Sequence, residues 1–192
     1  MSTERARWEE RYSTGDAGHD PPSEFLVAHA ALLHGRALDI AAGAGRNALF
    51  LTRRGLRVDA IDHALAGLRR AQAAARSEHL DLRTVQADLE TFPLPHDCYD
   101  VAINIRYLQR SLFGPLQRAV KPNGIILCET FLIDQQTFGH PRNPAFLLQR
   151  GELQAAFSPC EILVYEEGLF DSGSQQAYLA RMLARRPARG VD

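Results

Sequence analysis

The fold is decided by one stretch, ALDIAAGAGRN, at residues 37–47. Its apolar first half carries one acidic residue, Asp39, and its second half turns through Gly43 and Gly45 before an apolar-periodic segment begins. That order predicts a buried strand, a tight loop and the start of a helix. Glycine lets a backbone pass close to a ligand, and the first turn of a helix presents unpaired N–H groups. The stretch therefore predicts a small-molecule site at the end of a parallel strand.

Strand and helix patterns alternate on both sides of this stretch. Strands are predicted at 36–41, 56–61, 82–87, 98–105, 125–131, 162–165 and 176–185, and helices at 1–12, 22–34, 46–54, 64–78, 111–120 and 151–157. The alternation predicts an open, mostly parallel α/β sheet. The last two strands are joined by a short connection. They should therefore be antiparallel to each other, with one of them running against the sheet.

Composition favours one soluble domain over residues 1–192. Hydrophobic residues make up 45% of the chain and charged residues 23%, which is ordinary for a globular domain with a full core. A net charge of −1 gives no field that would attract nucleic acid or an anionic membrane. No apolar run approaches the roughly 20 residues of a membrane span, and the chain starts with charged, helix-forming residues. A cytoplasmic protein, either a monomer or a homodimer, is expected.

Cysteine and histidine usage predicts neither disulfides nor a metal site. The three cysteines are far apart, and each falls in or beside an apolar run, which is typical of buried free thiols in a reducing cytosol. The seven histidines show no ligand spacing.

The glycine loop alone fits both dinucleotide sites and other nucleotide sites, because GAGRNA at 43–48 matches G-x-G-x-x-G/A. Asp39 argues against a dinucleotide. A carboxylate about 5 Å from a pyrophosphate would cost on the order of a few kcal/mol, whereas an ammonium group would be favoured. Acidic residues also end the next two strands, at Asp62 and Asp88, where an open sheet lines its ligand crevice. The three acidic residues could bind an ammonium group, a ribose and an adenine. S-adenosylmethionine is a ligand that carries all three groups.

These motifs resemble those of the class I, seven-stranded S-adenosylmethionine-dependent methyltransferases over nearly the whole chain. The first motif matches 38–45, the next three match 60–62, 86–89 and 99–104, and KPNG at 121–124 resembles the turn before the fifth strand. One departure is Ala41, where that family commonly has glycine. Arg46-Asn47 and the W-x-x-x-Y spacing of Trp8 and Tyr12 resemble the small tellurite-resistance-type branch.

The resemblance implies a fold and a donor site. The fold would be a doubly wound, mostly parallel seven-stranded sheet with helices on both faces and an antiparallel strand near the C-terminus, a Rossmann-like methyltransferase fold. Asp39 would lie near the ammonium of S-adenosylmethionine and Asp62 would bind the ribose diol. The other residues that the resemblance assigns to the donor are Trp8, Tyr12, Ala41, Gly43, Gly45, Arg46, Asn47, His63, Asp88, Leu89 and Asn104.

For two of these assignments, both a structural role and a functional role fit the sequence. Trp8 and Tyr12 are either core aromatics of the N-terminal helix or part of a lid formed by residues 1–22. Arg46 either pairs with the methionine carboxylate or is an exposed arginine at a helix start.

The acceptor side is expected after the fourth and fifth strands. The long connection at 132–150 is predicted to be a lid. Arg106, His140 and Arg142 are candidates for binding an anionic acceptor. The candidates for catalysis are Tyr107, Glu129 and Arg110. Glu129 is either a general base or a structural hydrogen-bonding group.

The function most favoured is methyl transfer from S-adenosylmethionine to a small molecule, and the candidate acceptors are a thiol, a chalcogen oxyanion or another anionic or aromatic nucleophile. In-line displacement on an activated donor depends mainly on proximity and orientation. A non-catalytic adenosylmethionine-binding regulator and a nicotinamide-dependent oxidoreductase are the alternatives. An RNA-modifying enzyme is disfavoured because net charge is near zero and no nucleic-acid module is visible.

Overall fold

The computed structural model of the chain describes residues 3–14, 20–172 and 175–188. The helices are α1 (Thr3–Ser13), α2 (Glu24–Ala28), α3 (Arg46–Arg53), α4 (Leu65–Ser77), α5 (Phe113–Ala119), α6 (Gln135–Phe138) and α7 (Glu152–Ala156). The strands are β1 (Arg36–Ile40), β2 (Arg57–Asp62), β3 (Leu82–Gln86), β4 (Tyr99–Ile105), β5 (Val120–Phe131), β6 (Glu161–Ser172) and β7 (Gln175–Arg185). Short 3₁₀ turns occur at Ala30–Leu32, Arg110–Leu112 and Pro144–Phe146.

The seven strands form one sheet in the order β3-β2-β1-β4-β5-β7-β6. Strands β1 to β5 are mutually parallel, and β7 runs antiparallel to both of its neighbours, β5 and β6. The predicted doubly wound sheet with an antiparallel C-terminal strand is therefore confirmed. The chain order reverses between β1 and β4, which is where open α/β sheets place their ligand crevice.

The central strands are buried on both faces. Along β4, Val101, Ile103 and Ile105 pack into one apolar cluster, while Ala102 packs into the other. This continuous burial is typical of parallel strands covered by helices. Asn104, the polar residue near the end of β4, therefore stands out as one that packing does not explain.

Three elements have bounds that differ from the predictions by more than two residues. The predicted helix at 22–34 stops at Ala28, because His29 has a φ of −103° and a ψ of 8°, outside the helical range, and a 3₁₀ turn follows at Ala30–Leu32. The strand predicted at 162–165 continues to Ser172 as β6, since β7 supplies hydrogen-bond partners for its polar second half. The predicted turn at 121–124 is an irregular start of β5, where Asn123 has a φ of 65°.

The three thiols are free, with Cys128 and Cys160 buried and Cys98 half-buried. Within residues 3–14, 20–172 and 175–188, no helix combines the length and hydropathy that crossing a membrane would require.

Candidate functional site

The glycine loop, residues 41–45, needs its small residues for steric reasons. Gly43 has a φ of 56°, and a Cβ there would lie 2.2 Å from the Tyr12 hydroxyl. Gly45 has a φ of 80°, and its Cβ would lie 2.6 Å from the Cβ of Ala71 on α4. Ala41 adopts a φ of 54° despite its side chain, which is a costly conformation for a residue other than glycine. The loop is thus folded tightly beneath two helices.

Asp62 shapes this loop from the neighbouring strand. Its Oδ2 accepts a hydrogen bond from the Gly43 N–H at 2.8 Å, and its Oδ1 accepts one from the Ala64 N–H at 2.7 Å. The side chain is buried, with a relative exposure of 5%. Each carboxylate oxygen has a further lone pair, so the same group can still accept from a ligand hydroxyl.

Beside the loop, two buried side chains are short of hydrogen-bond partners. Asp39 Oδ2 and Asn104 Oδ1 are fully enclosed and have no partner among the described residues. Their strands β1 and β4 are neighbours, with Ile40 opposite Asn104 in the register. Buried polar atoms are nearly always paired in native proteins. Two acceptors without partners, both near the carboxyl ends of β1 and β4, therefore indicate a ligand that donates hydrogen bonds, as an ammonium group does.

Asp39 is held largely protonated. Burial, followed by the nearby charge of Asp62, raises the pKa of its carboxyl to about 8. The Arg46 guanidinium and the Ala48 N–H act in the opposite direction. A cation bound at Asp39 would favour the charged form in the same way.

We expect this group to make folding stability depend on pH. Between about pH 4 and pH 8 the folded protein keeps a proton that the unfolded chain releases, so the free energy of unfolding falls as pH rises, by at most about 1.4 kcal/mol per pH unit. Asp39→Asn removes this contribution. Urea denaturation at pH 5, 6, 7 and 8 should therefore give a shallower decline for the variant than for the unsubstituted protein. Parallel declines would contradict the buried, protonated Asp39.

The ends of β2 and β3 form the next part of the crevice. His63 Nδ1 lies 3.6 Å from Asp62 Oδ1, and His63 Nε2 has no partner among the described residues. Asp88 Oδ1 accepts from the Glu90 N–H at 3.1 Å. Leu89 is buried in the core, while its carbonyl accepts from the Gln109 side chain at 3.1 Å. This last contact joins the loop after β3 to the loop after β4.

Helix α1 lies over the glycine loop. Glu9 accepts from the Ala66 N–H at 3.0 Å, in the first turn of α4, and Arg70 donates to the Tyr12 carbonyl at 3.2 Å. The rings of Trp8 and Tyr12 stack, with their centroids 5.8 Å apart. Burial, with Asp62 close by, raises the pKa of the Tyr12 hydroxyl to about 12. Of the predicted aromatic pair, Tyr12 is thus the residue in contact with the loop.

Asn47 makes a different contact, between two helices. Its side-chain oxygen accepts from the Ser23 N–H at 3.0 Å and so joins the start of α3 to the start of α2. Arg46 donates to the Pro21 carbonyl at 3.2 Å.

A cavity of about 320 Å³ opens beyond the carboxyl ends of β4 and β5. Of the predicted residues it brings together Arg46, Arg106, Glu129 and His140. The other described residues that line it are Asp20, Pro21, Pro22, Ser23, Glu24, Phe131, Gln135, Asp171, Gln176, Ala177 and Arg181. Because Arg46 directly follows the glycine loop, the cavity adjoins that loop.

Glu129 is the centre of an ion-pair cluster in this cavity. Its Oε1 lies 3.2 Å from Arg106 Nε, and its Oε2 accepts from Arg181 Nε at 2.9 Å. The carboxylate has only 2% of its side-chain surface exposed. Each of its two oxygens thus contacts one guanidinium, and charge-assisted contacts of this kind fix geometry strongly. Glu129 is therefore suited to fixing the two arginines in place.

Three residues that were predicted for catalysis or acceptor binding are not among the described residues that line the cavity. Arg110 is paired with Glu152 and donates to the Leu147 carbonyl at 2.9 Å, so it anchors the end of the 132–150 connection. The Tyr107 hydroxyl donates to the Gln109 side chain. Arg142 is exposed.

The sequence interpretation missed Arg181 and Gly67. Arg181 pairs directly opposite Glu129 in the β5–β7 register. Opposite charges on paired strands often contact each other, but the sequence does not give the register of β7 against β5 that brings these two together. Buried Gln135 accepts from the Tyr178 N–H at 2.8 Å and donates to the His140 carbonyl at 3.0 Å. A Cβ at Gly67 would lie 2.9 Å from the Gly43 backbone, and no local pattern signals that approach.

Comparison with known proteins matches residues 37–124 to the model of a methyltransferase domain family. Hemagglutinin 1 of Eikenella corrodens is 29% identical over 168 residues, which cover 79% of this chain and 55% of that protein. This chain thus spans little more than half the length of that curated relative.

Two solved structures illustrate the likeness of fold. TehB from Haemophilus influenzae superposes with a TM-score of 0.73 at 20% identity, covering 95% of this chain and 67% of that one. Geranyl diphosphate C-methyltransferase from Streptomyces coelicolor gives 0.70 at 15% identity, covering 97% of this chain and 99% of that one. At these identities the likeness concerns the fold.

Proposed function

We propose that this chain, which matches the model of a methyltransferase domain family over residues 37–124, transfers a methyl group from S-adenosylmethionine to a small molecule bound in the cavity beyond β4 and β5. The observation that carries the proposal is the position of Arg46. It is the first residue after the glycine loop and also lines the cavity, so a donor on the loop and an acceptor in the cavity would be neighbours.

The residues around the loop fit S-adenosylmethionine. Asp39 offers an enclosed, unpartnered oxygen to the ammonium group, and Asp62 has lone pairs left for the ribose hydroxyls. Asp88 and Leu89 are proposed for the adenine edge, with His63 packed beside it. Bound there, the donor supplies a methyl group on a sulfonium, and the lone pair of the acceptor displaces a neutral thioether.

This chain's own contribution is proposed to be orientation and exclusion of water. Tyr12 and α1 cover the loop, and the cavity is at the small end of the usual range for ligand sites. Orienting two reactants can account for about 7–11 kcal/mol of a barrier. For an acceptor that is already a good nucleophile, no further group on the protein has to take up a proton.

The test is formation of S-adenosylhomocysteine over a panel of thiols, phenols, carboxylates and oxyanions of selenium and tellurium, with donor binding measured in parallel. We expect donor binding and turnover with at least one member of the panel. Donor binding with no turnover on any acceptor would favour the regulator alternative. Binding of reduced nicotinamides with no binding of S-adenosylmethionine would overturn the proposal.

A further inference from the structure

The charged residues that line the cavity beyond β4 and β5 differ in how deeply they are buried. Its three arginines, Arg46, Arg106 and Arg181, are half-buried or buried. Among its described lining residues, Glu129 is the buried carboxylate. The three other acidic residues that line it are exposed at its mouth, and they are Asp20, Glu24 and Asp171. The interior therefore favours an anion, whereas the entrance does not.

Two of the guanidiniums are fixed before any ligand binds. Arg106 lies over the Phe131 ring with 4.6 Å to its centroid, and Arg181 lies over the Phe170 ring at 4.1 Å. Both contact Glu129. The Arg106 N–H also donates to the Glu129 carbonyl at 2.7 Å. Arg181 Nη2 also donates to the Asp171 carbonyl at 3.3 Å. Planar guanidiniums held in this way are suited to bidentate recognition of a carboxylate or oxyanion.

The Arg106 backbone carries strain that suits a functional position. Its φ is 64°, in the left-handed region that side chains other than those of glycine, asparagine and aspartate rarely adopt. Such strained residues cluster at ligand sites, where the surrounding structure holds them. Burial also lowers the pKa of its guanidinium despite the nearby Glu129. An anion beside Arg106 would offset that cost of burying the charge.

The exposed acids at the mouth limit what can enter. Polyanions such as nucleic acid would meet Asp20, Glu24 and Asp171 before they reached the arginines, and like charges repel. A compact ligand with a single negative charge can be enclosed past the mouth. The cavity volume of about 320 Å³ also restricts the ligand to small-molecule size.

We propose that the methyl acceptor is a small monoanion, whose carboxylate or oxyanion binds the Arg106–Arg181 pair, with Glu129 as the positioning residue that aligns the two guanidiniums. This inference rests on the proposed function, because it names the class of acceptor for the same cavity. The anionic group orients the acceptor in the cavity that Arg46, the first residue after the glycine loop, also lines.

Binding of matched probes tests the inference without turnover. The protein, saturated with S-adenosylhomocysteine, is titrated calorimetrically with benzoate and benzamide, with acetate and acetamide, and with the dianion phthalate. We expect each carboxylate to bind at least tenfold more tightly than its amide, and phthalate to bind less tightly than benzoate. Arg106→Gln should remove the preference for carboxylate, and Arg106→Lys, which keeps the charge without the planar fork, should retain only part of it.

The matched control is Arg57→Gln, an exposed arginine at the opposite end of the sheet, which should leave the preference intact. Equal affinity for carboxylates and amides in protein that binds S-adenosylhomocysteine would overturn the anion site and leave the proposed function standing. Tighter binding of phthalate than of benzoate would overturn the restriction to a monoanion. A carboxylate preference in protein that does not bind S-adenosylhomocysteine would support the anion site and contradict the proposed function.

Discussion

Replacing Asp62 with alanine is expected to weaken S-adenosylmethionine binding at least a hundredfold. The carboxylate is proposed to bind the ribose hydroxyls, and it also holds the Gly43 and Ala64 N–H groups that order the glycine loop. Hydrogen bonds to charged groups contribute about 1.5–3 kcal/mol each, and a hundredfold change in affinity corresponds to about 2.7 kcal/mol. Loss of the ribose contact and of loop order should together reach that value. Isothermal titration with S-adenosylmethionine and S-adenosylhomocysteine measures it.

The matched control for this variant is Asp81→Ala. Asp81 is exposed and precedes β3 at the opposite edge of the sheet, so its removal should leave the affinity unchanged. Circular dichroism spectra of both variants establish whether each retains its folded structure. An affinity of folded Asp62→Ala equal to that of the unsubstituted protein would refute the proposed ribose contact.

Replacing Glu129 with alanine is expected to lower the free energy of unfolding by about 3–5 kcal/mol. The substitution leaves the guanidiniums of Arg106 and Arg181 in the interior without the carboxylate that contacts both. Removing one member of a buried ion pair costs about this much, because the charge that remains has lost its compensation. Urea denaturation measures the change.

The chain contains a close control for this effect. Glu161 also pairs with an arginine of β7, Arg185 at 2.9 Å, but its side chain is 59% exposed. Exposed pairs contribute about 0–1 kcal/mol, so Glu161→Ala should have little effect. If Glu129→Ala costs no more than Glu161→Ala, the buried cluster is not coupled as described.

A triple variant separates stability from recognition. Arg106→Met, Glu129→Leu and Arg181→Met together replace the charged cluster by apolar side chains, and such replacements are often neutral for stability. The triple variant should therefore recover most of the stability lost in Glu129→Ala. It should also lose the preference for carboxylate over amide.

The sheet, and the residues at the carboxyl ends of its first strands, could be predicted from sequence because their signals are local. Asp39, Gly43 and Gly45 lie within seven residues, and Asp62 and Asp88 each end a strand that its apolar pattern predicts. In a parallel sheet the carboxyl ends of neighbouring strands lie at the same end of the sheet, however the side chains pack. The element order was therefore enough to group these side chains.

The acceptor side depends on contacts between side chains that are far apart in the sequence, and no local sequence pattern predicts such contacts. Arg181 reaches Glu129 only through the register of β7 against β5, and the chain between them includes the 132–150 connection. Arg110, which is predicted to be catalytic because it follows β4, forms an ion pair with Glu152. In both cases the partner of the arginine lies more than 40 residues away in the chain.

The stacking of Trp8 on Tyr12 gives the protein an optical probe of its own. Trp8 is the single tryptophan of the chain, and it is on α1, which lies against the glycine loop through Tyr12. Its indole is half-buried, and the Arg11 guanidinium is 4.7 Å from the ring centroid. Undocking of α1 would change the solvation of this one fluorophore, whose emission is not mixed with that of any other indole. Intrinsic fluorescence would thus report any undocking of α1 from the glycine loop, without a label.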